Sequence, residues 1–429
     1  MAATQKKWTV MVYMAGDNNL DTAGLTDLKE MKKAGSTADI NIIAQFDNGA
    51  DHITKRYFLT KGGKLEKDVV PPVLGKTNDG DPKVLEDFLT WGVEKYPAEH
   101  YMVVLWNHGN GWNDENVYRM AADMNVRVQR RGVEVASGGT RSVSLRRLRV
   151  VGGKRFRRSL FSRAIQEAIR VRGIAYDDNA KDFLDNIELK KALTTMSRKL
   201  NRKIDILGMD ACLMSMAEVI YQVRDHVGIT VASEQTEPGD GWPYNTLLGL
   251  LKAKPAVEAK ELAVAVVDKY LASYKAVDEV TQSACDTSVL PDLTPAIDEL
   301  AKTMADRIQD PATYGAITQA RIHAQSYEVE DYVDLYSFAE LLQNATTDSA
   351  LQAACQSARN AVQNSGFVLR SGYKGTEVED SHGVSIYFPL KKISSLYATL
   401  DFAKDTEWAN FLKSFVAGTR KPMRLAATA

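Results

Sequence analysis

Three cysteines among 429 residues are too few for a disulfide framework, so this chain must hold itself together by packing. No stretch approaches the roughly 18 uninterrupted apolar residues of a membrane helix. The amino terminus, MAATQKKWTVMVYMAGDNN, has no apolar run followed by a small-residue cleavage site. The expectation is a cytoplasmic protein if this is the full chain, or a secreted one whose leader was removed. Histidine and cysteine nowhere fall at zinc-site spacing, so no metal is expected from the motifs. What remains is ordinary: 45% hydrophobic and 25% charged residues exclude disordered, collagen-like and coiled-coil classes. At this length a chain buries about three quarters of its unfolded surface, enough for a large core.

The net charge of −1 conceals an asymmetry. Residues 117–173 hold fourteen arginines and one lysine against three acids, a net of +12, which leaves −13 on the rest. Arg130-Arg131, Arg146-Arg147-Leu148-Arg149 and Lys154-Arg155-Phe156-Arg157-Arg158 lie inside this block. Only 160–171 has a local helical pattern. Such a segment can neutralise nucleic-acid phosphates, pair with an acidic surface of its own chain, or serve as a protease-accessible linker.

Outside the block, strands and helices alternate, which predicts a parallel sheet with helices on both faces. Expected strands are 8–15, 40–46, 52–59 (at an edge), 101–106, 204–209 and 229–233. Expected helices include 84–96, 187–200 and 214–221. This gives a doubly wound α/β domain over 1–290, interrupted by the basic block. Residues 291–429 form a mainly helical C-terminal subdomain with helices near 292–307, 332–343, 351–364 and 408–415, and a late strand at 384–388.

Ligands in open α/β sheets gather beyond the carboxyl ends of the strands. Two such ends carry reactive groups. The strand 101–106 runs into Asn107-His108-Gly109-Asn110-Gly111-Trp112, and 204–209 runs into Asp210-Ala211-Cys212 with a helix expected directly afterwards. A thiol at a helix N-terminus favours the thiolate, and an imidazole on the neighbouring strand end could take its proton and later give one to a leaving amine. Gly109 would admit substrate backbone, and its N–H with that of Cys212 could form an oxyanion hole. Cys285 and Cys355 lack such settings and read as buried packing residues. His382, which opens the late strand, competes with His108 for the role of base. The residues alone favour His108 only because it follows an interior strand.

The segments Met14-Ala15-Gly16-Asp17-Asn18-Asn19-Leu20, His108-Gly109-Asn110-Gly111-Trp112, Asp210-Ala211-Cys212 and His382-Gly383-Val384-Ser385-Ile386-Tyr387-Phe388-Pro389, in this order, resemble the clostripain family of cysteine peptidases. The resemblance implies a caspase-like fold, shared with gingipains, legumains and separases. It also implies a catalytic pair of His108 and Cys212, which relegates His382 to structure. The family typically cleaves after arginine, often also lysine. Asp210 and Asp240 match acidic residues that the family places in its specificity pocket, where a carboxylate meets a guanidinium. Glu237 is a third candidate, and Trp112 and Trp242 are candidate pocket walls. Without the resemblance, Asp210 would read as a helix N-cap and Asp240 as a turn residue.

The resemblance further implies activation by cleavage at a basic residue between the His and Cys segments. The block 117–173 then becomes an activation linker, with Arg130, Arg131, Arg147, Arg149, Arg155 and Arg158 as candidate sites. Some relatives depend on calcium. Asp177, Asp178 and Asp182 are the carboxylates that calcium could use, although the chemistry itself needs no cofactor. The expected partners are peptides or proteins with Arg or Lys at the scissile bond, and not a membrane. A monomer is expected, since no apolar stripe demands a partner. An inactive peptidase-like scaffold that binds nucleic acid through its arginines is the alternative, and a Cys–His amidase or acyltransferase is a further one.

Overall fold

The structure, a computed structural model, describes residues 5–18, 20–112, 126–129, 132–135, 174–177 and 182–419. The six candidate activation arginines and the helix expected over 160–171 lie outside the described residues.

A nine-stranded mixed sheet runs through the molecule. Its strands are β1 (Lys6–Gly16), β2 (Ile40–Asn48), β3 (Ile53–Phe58), β4 (Val69–Gly75), β5 (Ala98–Trp106), β10 (Ile204–Asp210), β11 (Val227–Ala232), β12 (Val280–Asp286) and β14 (Val368–Lys374). Among the described residues there are also three short two-stranded pieces. These are β6 (Val126–Gln129) with β7 (Gly132–Val135), β8 (Ile174–Asp177) with β9 (Asp182–Leu184), and β13 (Tyr332–Asp334) with β15 (Ser385–Tyr387).

The spatial order of the large sheet is β14-β12-β11-β10-β5-β1-β2-β3-β4. The central five, β11 to β2, are parallel, and the two strands at each margin are antiparallel. The apolar run 8–15 is buried throughout, as a strand covered on both faces requires. Alternate residues serve opposite layers. Met11, Tyr13 and Ala15 pack with helices Pro82–Lys95, Asn186–Leu200 and Ala217–Val223. Val10, Val12 and Met14 pack with helices Asp21–Ala34, Tyr244–Ala253 and Ala259–Ser273.

Helix starts follow capping chemistry. Asp185 accepts from the Glu188 N–H at 2.7 Å while Glu188 reaches back to the Asp185 N–H at 3.1 Å, a complete capping box. Asp81 caps Pro82–Lys95, with proline at the first helical position.

Several expectations shift. The strand expected at an edge, β3, is covered by β4, whose Val-Val-Pro-Pro core suits only an outermost strand because proline cannot donate to a ladder. The expected late strand is present as β15, paired with β13 away from the main sheet, while β14 supplies an edge strand of that sheet that the sequence pattern did not reveal. Helices Leu290–Arg307, Leu335–Ala345, Ser349–Gln363 and Trp408–Thr419 lie close to their expected spans, and their apolar faces share one cluster with Met11, Leu193 and Met209. Among the described residues, no helix is long and apolar enough to cross a membrane.

Candidate active site

The site is built on two neighbouring parallel strands. Trp106 of β5 stands in register with Asp210 of β10, and the Asn107 N–H reaches the Asp210 C=O at 3.4 Å. Counting on two residues along each chain places His108 and Cys212 at matching positions past the sheet edge. The two loops press closely together: a Cβ on Gly109 would stand 2.6 Å from the Cys212 carbonyl oxygen and 3.1 Å from its nitrogen. Only glycine fits so close to another backbone.

The histidine loop is fixed from below. Asn107 Nδ2 donates to the Ala15 C=O at 2.7 Å, and Asn107 Oδ1 accepts from Asn18 Nδ2 at 3.1 Å and from the His108 N–H. Asn18 in turn donates to the Ala15 C=O at 3.0 Å and receives the Leu20 N–H at 2.9 Å. The Ala15-Gly16-Asp17-Asn18 segment therefore serves the site by holding Asn107. Further along, Tyr332 Oη donates to the Asn110 C=O at 2.9 Å, and Asn186 Nδ2 to the Gly111 C=O at 3.3 Å. Trp112 is fully buried, edge-on to Tyr387 and Tyr397 with centroids 4.7 and 4.9 Å away, so it packs the interior.

The cysteine side corrects one expectation. No helix begins directly after Cys212; the helix starts at Ala217. Leu213 takes a left-handed φ of 62°, the Met216 N–H turns back onto the Met214 C=O at 2.9 Å, and Met216 forms a bridge with Ser385. The sulfur is therefore not at a helix N-terminus. It instead accepts the Glu237 backbone N–H at 3.3 Å. Cys212 and His108 are both buried, at 1% and 2% exposure.

Asp210 is fully buried and is no N-cap. Its Oδ2 accepts from Tyr244 Oη at 2.9 Å and from the Trp242 N–H at 3.4 Å. Trp242 covers Gly208, where a Cβ would come within 2.7 Å of the indole. Asp240 is exposed, at the tip of a turn closed by the Gly241 N–H on the Pro238 C=O at 3.0 Å. Glu237 points inward instead, with Gln282 Nε2 donating to its Oε1 at 3.3 Å.

Tyr270 is a site residue that the sequence did not reveal. Its hydroxyl is buried without a hydrogen-bond partner among the described residues. Burial, then Glu237, Tyr274, Asp210 and Cys212, hold it well above the ordinary tyrosine range. It lies mid-helix in Ala259–Ser273, far from every motif, so only the fold could place it here.

The remaining groups fall elsewhere. His382 is stacked on Tyr336 at 4.2 Å, and its Nδ1 sits 3.2 Å from Asp334 Oδ1. Cys285 and Cys355 are free and buried, and burial pushes both thiols up to about 12. Among the described residues, no group of three His, Cys, Asp or Glu side chains is arranged to hold a metal ion. Asp178 lies outside them, and Asp177 and Asp182 are described by backbone alone.

The family model of the clostripain family matches residues 12–124 and 163–415. Clostripain from Hathewaya histolytica is 26% identical over 276 residues, 58% of this chain but only 43% of that protein. The chain thus spans less than half the length of this relative. A secreted C11 cysteine protease from Bacteroides thetaiotaomicron, solved with an irreversible peptide inhibitor, superposes with a TM-score of 0.58 at 20% identity, covering 95% of this chain and 99% of that one. An inactive zymogen C11 protease from Parabacteroides distasonis gives 0.61 at 18% identity, with the same coverage. The fold is therefore that of the caspase-like C11 proteases, and the chain belongs to the clostripain family of cysteine peptidases.

Proposed function

We propose that this protein is a cysteine endopeptidase that cuts after arginine, and after lysine, through a dyad of Cys212 and His108. The observation that carries this reading is the Trp106–Asp210 register, which sets the two loops side by side at the carboxyl edge of the sheet. Cys212 attacks the scissile carbonyl carbon as thiolate, with its proton held by His108. The N–H groups of Gly109 and Cys212 receive the oxyanion. His108 then protonates the leaving amine, which departs and leaves a thioester on Cys212. Water, deprotonated by His108, hydrolyses the thioester and frees the new carboxyl terminus.

Selectivity for a basic side chain is assigned to Asp210, with Asp240 at the mouth. A buried carboxylate favours a cationic guest, whose charge pairs with it away from water. The +12 of residues 117–173 against −13 elsewhere supports a segment that rests on an acidic surface until it is cut. The Parabacteroides relative, described as an inactive zymogen, makes activation by cleavage in this linker a fitting expectation. The chemistry proposed here calls for no cofactor, calcium included.

The test compares wild type with Cys212→Ala on fluorogenic peptides ending in Arg, Lys, Asp or Leu before the reporter. Cleavage after Arg and Lys, abolished in the variant, is the expected result. No cleavage even after limited trypsin treatment would overturn the reading and bring the nucleic-acid alternative forward.

A further inference from the structure

The C-terminal third reaches into the site through Gly383. Its carbonyl oxygen accepts the hydroxyls of Ser215 at 2.7 Å and Ser283 at 2.6 Å, and its N–H donates to Glu234 Oε2 at 2.9 Å. Its φ is 106°, and a Cβ there would stand 2.8 Å from that of Ser371. Next to it, the Ser385 N–H donates to the Ser215 C=O at 3.0 Å. A strap that starts more than 160 residues after Cys212 is thereby tied to the loop that carries the sulfur.

Glu234 sits in the segment that backs this loop. The Ser233 C=O accepts the Ser215 N–H at 2.9 Å, and the Gln235 C=O accepts the Leu213 N–H at 3.2 Å. Two residues further, the Glu237 N–H meets Cys212 Sγ at 3.3 Å. Thr281 Oγ1 receives both the Glu234 and Gln235 N–H groups at 3.0 Å. Whatever fixes Glu234 therefore fixes the donor that faces the sulfur.

The Glu234 carboxyl is buried at 2% exposure, with Asp334 and Tyr327 within electrostatic reach, and its Oε1 meets no hydrogen-bond donor among the described residues. Asp334 is fully buried, and its carboxylate is already crowded with donors. The His382 N–H reaches Oδ2 at 2.6 Å, while the Ser337 N–H at 2.7 Å and His382 Nδ1 at 3.2 Å reach Oδ1. Two carboxyl groups within electrostatic reach of each other and away from water resist being ionised together. Asp334 already accepts three donors whereas Glu234 Oε1 meets none, so a proton on Glu234 is the arrangement that gives that oxygen a hydrogen bond to make.

Resting on the reading of Cys212 as nucleophile, we propose that Glu234 is a positioning residue. Kept as the neutral acid, it donates to Asp334, accepts from Gly383, and so locks 233–237 and the strap against the cysteine loop.

The groups facing it agree with this assignment. Asp334 comes from β13 and Tyr327 from the loop before it, while Cys285 of β12 lies within electrostatic reach. Beyond Asp334 stands His382, with Asp380 at 3.8 Å from its Nε2. Burial lowers the affinity of His382 for its proton, but the Asp334 contact outweighs this and leaves it raised. Burial and Asp334 together hold the Glu234 carboxyl well above the ordinary glutamate range. The folded state keeps a proton that the unfolded chain releases above about pH 4.5. This contribution to stability is full below that pH and is lost as pH rises through the folded-state value.

The test uses the full chain, with Glu234→Gln and Glu234→Ala. A glutamine amide can donate to Asp334 and accept from Gly383, as the neutral acid does. We expect Glu234→Gln to keep kcat/KM on an Arg peptide within about 2-fold at neutral pH, and Glu234→Ala to lose roughly 30-fold in kcat with KM little changed. We also expect the Tm of wild type to fall relative to Glu234→Gln as pH rises from about 5 to 9. A Gln variant as impaired as the Ala variant, with both melting cooperatively, would overturn the proposal. So would a Tm difference that does not vary with pH. If Glu234→Ala does not fold, the Gln variant decides alone. A wild type inactive on every peptide would sink the peptidase reading, while the pH dependence of the Tm difference would still decide where the proton sits.

Discussion

Trp106 and Asp210 are register partners on adjacent parallel strands, and each is followed two residues later by a reactive side chain. Parallel neighbours lie about 4.8 Å apart, so the pairing delivers an imidazole and a thiol to one edge before any side chain chooses a rotamer. Trp106 is itself anchored, its indole N–H donating to Asp27 Oδ2 at 2.6 Å. The alignment of the two loops is a property of the sheet.

Gly109→Ala tests that closeness. With its Cβ placed 2.6 Å from the Cys212 carbonyl, the variant must push the loops apart. A displacement of about 1 Å is expected to lower kcat/KM on an Arg peptide by roughly 100-fold. Steady-state kinetics and a melting curve on the same preparation check this, with cooperative unfolding retained.

Asp210→Asn and Asp240→Asn should separate sharply. Asp210 is buried on Tyr244 Oη, whereas Asp240 is exposed. We expect Asp210→Asn to cost roughly 100-fold or more on Arg and Lys peptides, and Asp240→Asn less than about 10-fold, as solvent screens an exposed carboxylate. The ratio of kcat/KM values on matched peptides measures it.

Glu218 should make stability depend on pH. It is fully buried, accepts from the Tyr387 N–H at 3.0 Å and from Tyr397 Oη at 3.0 Å, and burial raises its pKa from 4.5 to about 7. An acid with a raised folded pKa stabilises fully below pH 4.5, and the benefit is lost as pH climbs to 7. At roughly 1.4 kcal/mol per pH unit the loss is on the order of 3 kcal/mol. Denaturant titrations of wild type and Glu218→Gln across this range should show the slope in the first and a flatter line in the second.

Cys355→Ala should leave kcat unchanged and lower stability by about 1 kcal/mol, the cost of a small buried void. Its thiol is fully buried with its pKa pushed up to about 12, so it cannot act as a nucleophile near neutrality. Kinetics and denaturant unfolding of the variant check both halves.

The central strands were legible because runs such as 8–15 and 204–209 are apolar on both faces, which few other structures tolerate. The margins were not. β4 carries two prolines, and the pattern of β14 is half exposed, so neither has the signature of a sheet interior. The helix expected immediately after Cys212 failed for a different reason. Residues 214–216 have helical neighbours, but Ser385, 170 positions downstream of Ser215, hydrogen-bonds the Ser215 C=O and bridges Met216 instead. Local pattern cannot register such a contact. His108, Cys212 and Asp210 were visible as motif residues at strand ends, whereas Tyr270 and the Glu234–Asp334 pair are known only through tertiary packing.

The long basic segment connects β5 to β10, and these two strands lie beside each other in the middle of the sheet. A nick anywhere in that segment would therefore divide the covalent chain without dividing the body. The amino-terminal fragment would keep β1 to β5 and the carboxyl-terminal fragment β10 to β14, zipped along a shared ladder and two common cores. Cut protein would run as two bands under denaturing conditions and elute as a single particle under native ones, with His108 on one polypeptide and Cys212 on the other.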